Sequence, residues 1–323
     1  MKHQTEDPAN GTHREVIGRS ENGETLRPGR ARRLVGWVVV GCSTLLAGIW
    51  ALWGAIENFH EGWYHTSLWL NLGLMLIQYA SPMLVFLILT TISLRFPLVG
   101  GGLLILVGAG LAAFFSRGAG VFLIGAPLIL LGLGYIYGRP RPLKRAYRIA
   151  IGLPLLIYLG FSIEPAIRVA GRYDDGNRGT RLVEGNGVRL IWAPEGPGWP
   201  RRGVRWAEAQ RACSHLKEDG KTLSDTLQNI WRLPTVEEAV RSLTRSGKNC
   251  RGVWDSASGS ARYDTTPDKE SPLWDPHSAI IYWWTSTERD SATVYRVVYN
   301  GGVQALPKTI GMGDLGFRAV KRP

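Results

Sequence analysis

Apolar and polar positions divide this chain into two halves with different periods. Five apolar stretches follow one another over residues 34–56, 68–92, 96–115, 118–137 and 149–167, each bounded by charged or turn residues. About 20 helical residues rising 1.5 Å each cross a hydrocarbon core about 30 Å thick, so the first four are long enough to span it. The apolar core of the fifth ends at Ile163, and Glu164-Pro165 interrupts it, so a tilted or locally thinned exit is needed there. Core helices of a soluble protein are the alternative, and four long runs in succession with hardly a charge inside argue against it.

Beyond Ala170 the pattern shortens. Residues 168–187 are rich in Gly, Arg, Asp and Asn and read as a linker. VRLIWA at 188–193 reads as a strand, ended by Pro194. A helix follows from about Val204, with Trp206, Ala209, Cys213 and Leu216 on one face and Gly220 beyond its end. The second half is organised around IWRLPTVEEAVRSL at 230–243. There Trp231 and Leu233 alternate around Arg232, Pro234 stops the strand, and Thr235 with Glu238 forms a capping box. Val236, Ala239, Val240 and Leu243 then give one apolar stripe of a helix that closes near Gly247. Residues 250–277 are irregular and punctuated by Trp254 and Trp274; ordered loops of that length often carry function. Strand character returns at 280–287 (IIYWWTST), at 293–299 and 302–305 across Asn300-Gly301, and at 315–321. Two helices and several antiparallel strands make an α+β domain over 188–323, large enough for one core.

Charge orients the two halves. The net charge of +12 suggests nucleic acid, but the basic residues of the first half follow membrane topology instead. Arg27, Arg30, Arg32 and Arg33 precede the first span, Arg95 separates the second and third, and Arg139, Arg141, Lys144, Arg145 and Arg148 separate the fourth and fifth. The alternate loops carry no Lys or Arg, or only Arg117. The expectation is a multi-pass cell-membrane protein with residues 1–33 as a disordered cytoplasmic tail, five transmembrane helices over 34–167, and the carboxyl domain outside. A signal peptide is not expected, because the apolar run begins late and continues too long. The sequon at Asn10-Gly11-Thr12 would lie on the cytoplasmic side, where it is a chance match.

Within the spans, Asn71 and Gln78 share one face and suit an interhelical hydrogen bond. Gly108 with Ala112, Ala109 with Ala113, and Gly134 with Gly138 allow close helix contact and leave oligomerisation open. His60, Glu61 and His65 read as solvated loop residues rather than a metal site. Cys42 reads as helix packing. Cys213 and Cys250 would both lie in an oxidising compartment, which permits a bridge without requiring one.

The WRLPT turn before a capped helix, the YWWTST strand, the NGG hairpin and a closing GFRAV strand together resemble the C-type-lectin-like superfamily. Within it they resemble the Lcl C-terminal domain family and, more distantly, the formylglycine-generating (sulfatase-modifying) enzymes. The resemblance covers about 188–321 and none of the spans. It implies a C-type-lectin-like outer domain, a fold that hosts ligand binding, adhesion and catalysis alike. The formylglycine-generating enzymes use a cysteine pair near the end of the domain to bind copper, and no cysteine follows Cys250 here, so that site does not carry over.

Binding is the expected function, as an extracytoplasmic recognition module for a peptide, protein or glycan. The alternatives are an enzyme of the formylglycine-generating-like fold and a sensor acting through a partner. Trp254, Asp255, Trp274, Asp275, Trp283 and Trp284 are the candidate ligand-binding residues, because aromatic faces beside carboxylates suit stacking and hydrogen bonding. Adjacent strand residues point to opposite faces, so only one of Trp283 and Trp284 is expected in the core if the sheet is covered on one side. No catalytic residue, metal ligand or cofactor is assigned. Calcium, used by sugar-binding lectins of this fold, would need oxygens such as those of Asp264, Asp268, Glu270 and Asp275. Arg232, Thr235, Glu238, Cys213 and Cys250 are expected to hold the fold, with Arg232 paired to a carboxylate or to backbone carbonyls.

Overall fold

The computed structural model describes residues 29–114 and 125–323. Most of the expected tail (1–28), the sequon, Arg27, Arg117 and the loop joining the third and fourth stretches lie outside the described residues.

Among the described residues, six α-helices build the first half: α1 (Arg30–His60), α2 (Leu68–Leu74), α3 (Ser81–Arg95), α4 (Pro97–Phe114), α5 (Ala126–Tyr137) and α6 (Leu143–Ala170). Helix α1 starts at Arg30, so the last residues of the expected tail are helical. Three helices, α1, α4 and α6, are long and apolar enough to cross a membrane. The second stretch, expected as one helix, is broken: α2 passes through a π-helical turn (Met75–Tyr79), and α3 leaves it bent by 61°. Pro82 explains the break, because its ring lacks an N–H and clashes with the carbonyl one turn back. Counted as one, the bent pair makes a fourth candidate span, and the described part of the fourth stretch is the 12-residue α5. Helix α6 runs unbroken through Pro154, Glu164 and Pro165.

The helices approach through small residues. Ala47, Ala51 and Ala55 line one face of α1, packing with Met83 and Leu87 of α3 and Tyr158 of α6. A Cβ on Gly132 of α5 would lie 2.5 Å from the Gly101 carbonyl of α4, and one on Gly134 would lie 2.3 Å from Val39. Such glycine contacts are met inside the chain. Helices α1 and α6 start at the same end of the bundle, where Arg139 N–H donates to the Arg32 carbonyl (2.8 Å) and the Trp37 indole to that of Arg141 (3.1 Å). Outward, Leu45, Ile77, Leu106, Leu130 and Leu156 are each about half to four fifths exposed, a wide apolar surface. Cys42, expected to pack, faces outward with them.

The second half contains β1 (Arg181–Gly185), β2 (Val188–Trp192), α7 (Trp206–His215), α8 (Val236–Ser242), β3 (Thr244–Arg245), β4 (Lys248–Asn249), β5 (Val253–Asp255), β6 (Ser260–Arg262), β7 (Tyr282–Glu288), β8 (Thr293–Val298), β9 (Val303–Pro307), β10 (Leu315–Gly316) and β11 (Val320–Lys321). The expected linker therefore carries a strand. β1 pairs with β2 across Asn186-Gly187, both at positive φ (51° and 79°), as a two-residue hairpin requires. Helix α8 ends at Ser242, earlier than expected, because Ser246-Gly247 turns the chain into the β3–β4 hairpin. The irregular 250–277 region holds the short β5–β6 hairpin. The closing strand is two pieces in two sheets: β10 runs parallel to β7, and β11 antiparallel to β2. The sheets are thus β1-β2-β11 and β10-β7-β8-β9.

Candidate functional site

The tryptophans expected at a binding groove form the core instead. Trp274 is 2 % exposed, and Trp283 and Trp284 are fully buried. The premise of one covered face fails because β7 is covered on both. Trp283 stacks on Trp274 (3.7 Å between ring centres) and packs on Trp192 (5.4 Å), while Trp284 donates to the Val204 carbonyl on the approach to α7 (2.9 Å). Trp254 is half-buried against Tyr295, and Asp255 caps its own turn through Ala257 N–H and the Ser258 hydroxyl. Asp275 accepts from Arg178 (2.8 Å) and from the His277 N–H. These six residues do not surround one groove. Nor do the four acidic candidates gather around a cation: among the described residues no group of three or more His, Cys, Asp or Glu could hold a metal. Asp264 is paired loosely with Arg251, and the other three each face an arginine.

The most unusual chemistry lies where the two halves meet. Asp268, Lys269 and Glu270, three successive charges, are each 1–2 % exposed. Asp268 is shared: Oδ1 accepts from Arg172 Nε (3.1 Å), just past α6, and Oδ2 from Arg245 Nη1 (2.8 Å). Glu270 accepts from the Ser246 N–H. The Lys269 ammonium donates to the Ser278 carbonyl and lies 5.8 Å from the centre of the Tyr64 ring, in the loop after α1. Burial, and then the Arg172 charge, bring this lysine down to about 7, against the pull of Asp275 and Asp268. From α1 the His60 ring stands between two head hydroxyls, Tyr299 at Nδ1 (3.1 Å) and Tyr282 at Nε2 (3.2 Å). A neutral ring donates to one and accepts from the other. His60, expected as a solvated loop residue, is instead the last residue of α1 and is bonded to the head. Asn71 holds the same loop through both backbone atoms of His65 (2.9 and 2.8 Å), not an adjacent helix. Arg178 forks onto Asp174 within the arm (2.7 Å twice) and holds that carboxyl well below its usual range, and the same guanidinium reaches Asp275 (2.8 Å), which ties the 171–180 arm to the head.

Away from the junction, two open polar clefts flank the Arg232–Glu238 pair. Arg232 meets Glu238 through two hydrogen bonds of 2.6 Å, with 41 % of the arginine side chain exposed. The capping box is present, Glu238 N–H to Thr235 Oγ1 (3.1 Å) and Thr235 N–H to Glu238 Oε2 (2.8 Å). On the Glu238 side a cleft of about 550 Å³ is lined by Arg189, Glu237, Arg241 and Arg322. On the Arg232 side one of about 640 Å³ is lined by Gln210, Arg211, His215 and Asn229. Among the described residues the side chains of Gln210, Arg211 and Asn229 have no hydrogen-bond or ion-pair partner. Cys213 and Cys250 are free and buried, so the bridge is not formed. Burial pushes the Cys213 thiol far up and brings Cys250 up to about 11, which keeps both protonated at neutral pH.

Sequence reasoning missed the buried charges, Arg318 above all. Fully buried, Arg318 donates to the carbonyls of Ala193 (2.8 Å), Pro272 (2.8 Å) and Leu273 (2.7 Å) and stacks on Trp199 (3.8 Å). Its partners lie 45 to 125 residues away, so no local pattern announces them. No family model, curated protein or solved structure matches this chain.

Proposed function

We propose that this chain is a membrane-anchored recognition protein. Its five spans fix a head of C-type-lectin-like fold outside the cytoplasmic membrane, and the head takes a peptide, protein or glycan in the clefts beside Arg232–Glu238. The observation that carries this reading is the pair of open polar clefts on a head whose aromatic residues are committed to its core. Gln210, Arg211 and Asn229 offer donors and acceptors that the fold itself does not use, which is what a polar ligand needs. Placement outside is supported by the bundle: Arg30, Arg32, Arg33, Arg139 and Arg141 gather at the end where α1 and α6 begin, and the head sits at the other. The formylglycine-generating-like alternative is disfavoured by its chemistry, since both head thiols are buried and protonated.

Two measurements test the proposal. A reporter active only outside the cytoplasm is expected to be active after Pro323 and silent after Tyr137; the reverse pattern overturns the placement. The full chain in nanodiscs, screened on glycan and peptide arrays, is expected to give a ligand whose binding falls at least tenfold in the Gln210→Ala/Arg211→Ala variant without a change in Tm. Binding that survives this double substitution places the ligand elsewhere.

A further inference from the structure

A cavity of about 330 Å³ lies at the junction, walled by the loop after α1 (Trp63, His65, Thr66), the start of α2, the end of α6, the arm behind it (Arg172, Asp174) and the head loop at Pro276-His277. Its wall is divided. Leu68, Val169 and Ala170 continue the apolar outer surface of the bundle, with Trp69, 79 % exposed, beside them. Arg172, His65, His277 and Thr66 supply hydrogen-bond donors. Arg172 is undersupplied with acceptors. It shares the one Asp268 carboxylate with Arg245 and also meets Tyr299, whose ring it lies over (5.2 Å), while its Nη2, buried and 3.0 Å from Asp268, has no oriented hydrogen bond. The side chain is only 4 % exposed, and the Nη2 group is cut off from bulk water. The acidic side chain in the wall, Asp174, is forked by Arg178, and His277 Nε2 stands 3.9 Å from its Oδ2.

We propose that this cavity binds the phosphate ester of an amphipathic ligand, a phospholipid headgroup at the membrane surface, with Arg172, His65 and His277 on the phosphate and the acyl chains leaving along Leu68 and Ala170. The volume lies at the small end of ligand sites, which suits a headgroup rather than a peptide or an oligosaccharide. A guanidinium with an unsatisfied Nη2 group beside imidazoles is the donor set that phosphate oxygens select. The inference rests on the helices lying in a membrane, not on which side the head faces, so it stands or falls apart from the reporter result.

The test uses delipidated full-length protein in detergent, followed by thermal shift. Dioctanoyl phosphatidylglycerol is expected to raise Tm in a saturable way, and dioctanoylglycerol, which has the same chains and no phosphate, is expected not to. Inorganic phosphate is the third arm: a shift at the same concentration assigns the site to free phosphate, and none assigns it to the lipid. Arg172 also pairs with Asp268, so its loss would disturb folding; the His65→Ala/His277→Ala variant is used instead. It is expected to raise the half-saturating concentration at least fivefold while leaving the ligand-free Tm unchanged. An equal shift with dioctanoylglycerol, or an unaltered response in the double variant, overturns the proposal.

Discussion

The helical half and the head bury their polar groups by opposite means. In the bundle, three hydroxyls return to their own helix, Thr44 donating to the Val40 carbonyl, Ser93 to Leu89 and Ser162 to Tyr158, each four residues back and at 2.7 Å, while Tyr135 of α5 donates across to Ser43 of α1 (3.0 Å). Backbones come close because glycines let them, as at Gly101 and Gly132. In the head, the groups that close the core are charged and reach across the sequence: Arg318 to three carbonyls, Asp268 to two arginines, Lys269 to Ser278. Where small residues line the facing helices, shape decides how closely they meet. An aqueous domain buries aromatic mass and can hold ions inside it, provided each is bonded.

The contrast breaks most sharply at Arg318. Arg318→Ala leaves two buried carbonyls and the part-buried one of Pro272 without a donor, at about 1–3 kcal/mol each, so a loss of about 5 kcal/mol is expected. Near-UV circular dichroism of the head should collapse while the far-UV helix signal persists. Arg318→Lys should fare little better, because an ammonium cannot reproduce the fork. An intact near-UV spectrum would mean that the guanidinium is dispensable.

The corresponding break in the bundle is Gly132→Leu. Its Cβ would meet the Gly101 carbonyl at 2.5 Å and the Ile105 side chain at 2.7 Å, so α4 and α5 must separate. The expected cost is about 3 kcal/mol, read by SDS titration, with the head's near-UV spectrum unchanged. Loss of both signals together would show that the halves unfold as one unit.

Legibility follows the same division. The capped start of α8 was readable because Thr235 and Glu238 are neighbours and the signal is local. The Asn300-Gly301 turn was readable because alternating strands flank it. The identical dipeptide at Asn186-Gly187 was passed over, since RLVEG in β1 has adjacent rather than alternating apolar residues and its neighbours look like linker. Trp283-Trp284 misled because alternation identifies a core face only when the other face is wet, and β7 is buried on both. The burial of the Asp268-Lys269-Glu270 run has no local signal: only tertiary partners at Arg172, Arg245, Ser246 and Ser278 make it tolerable.

Lys269 gives that last point a pH signature. Its folded pKa, about 7, lies below the ordinary lysine value of 10.5. Between these values the unfolded chain holds a proton that the folded chain has released, so stability rises with pH. Below about 7 both states are charged and the burial penalty is fully present. Going from pH 7 to 9 should raise the stability of the full chain by about 2 kcal/mol from this group alone. In Lys269→Met that increment should vanish, measured as Tm against pH in detergent. An unaltered slope would show that the ammonium is solvated and that the junction is open to water.

Arg232 probes the outer surface of the head, where ions are half solvated and worth least. The guanidinium is paired twice to Glu238, yet two fifths of its side chain is exposed, so solvent screens the attraction. Glu238 also accepts from Thr235 N–H and keeps that partner when the arginine is gone. Arg232→Met should therefore lower head stability by only about 1 kcal/mol, a small fall in Tm with no change in spectrum. Thr235→Ala, which removes a cap acceptor from the Glu238 N–H, should cost a similar amount. If Arg232→Met instead approaches the Arg318→Ala effect, the ion pair is closed to water in solution. The two clefts it separates would then be smaller than the structure draws them, and the ligand surface would have to lie elsewhere on the head.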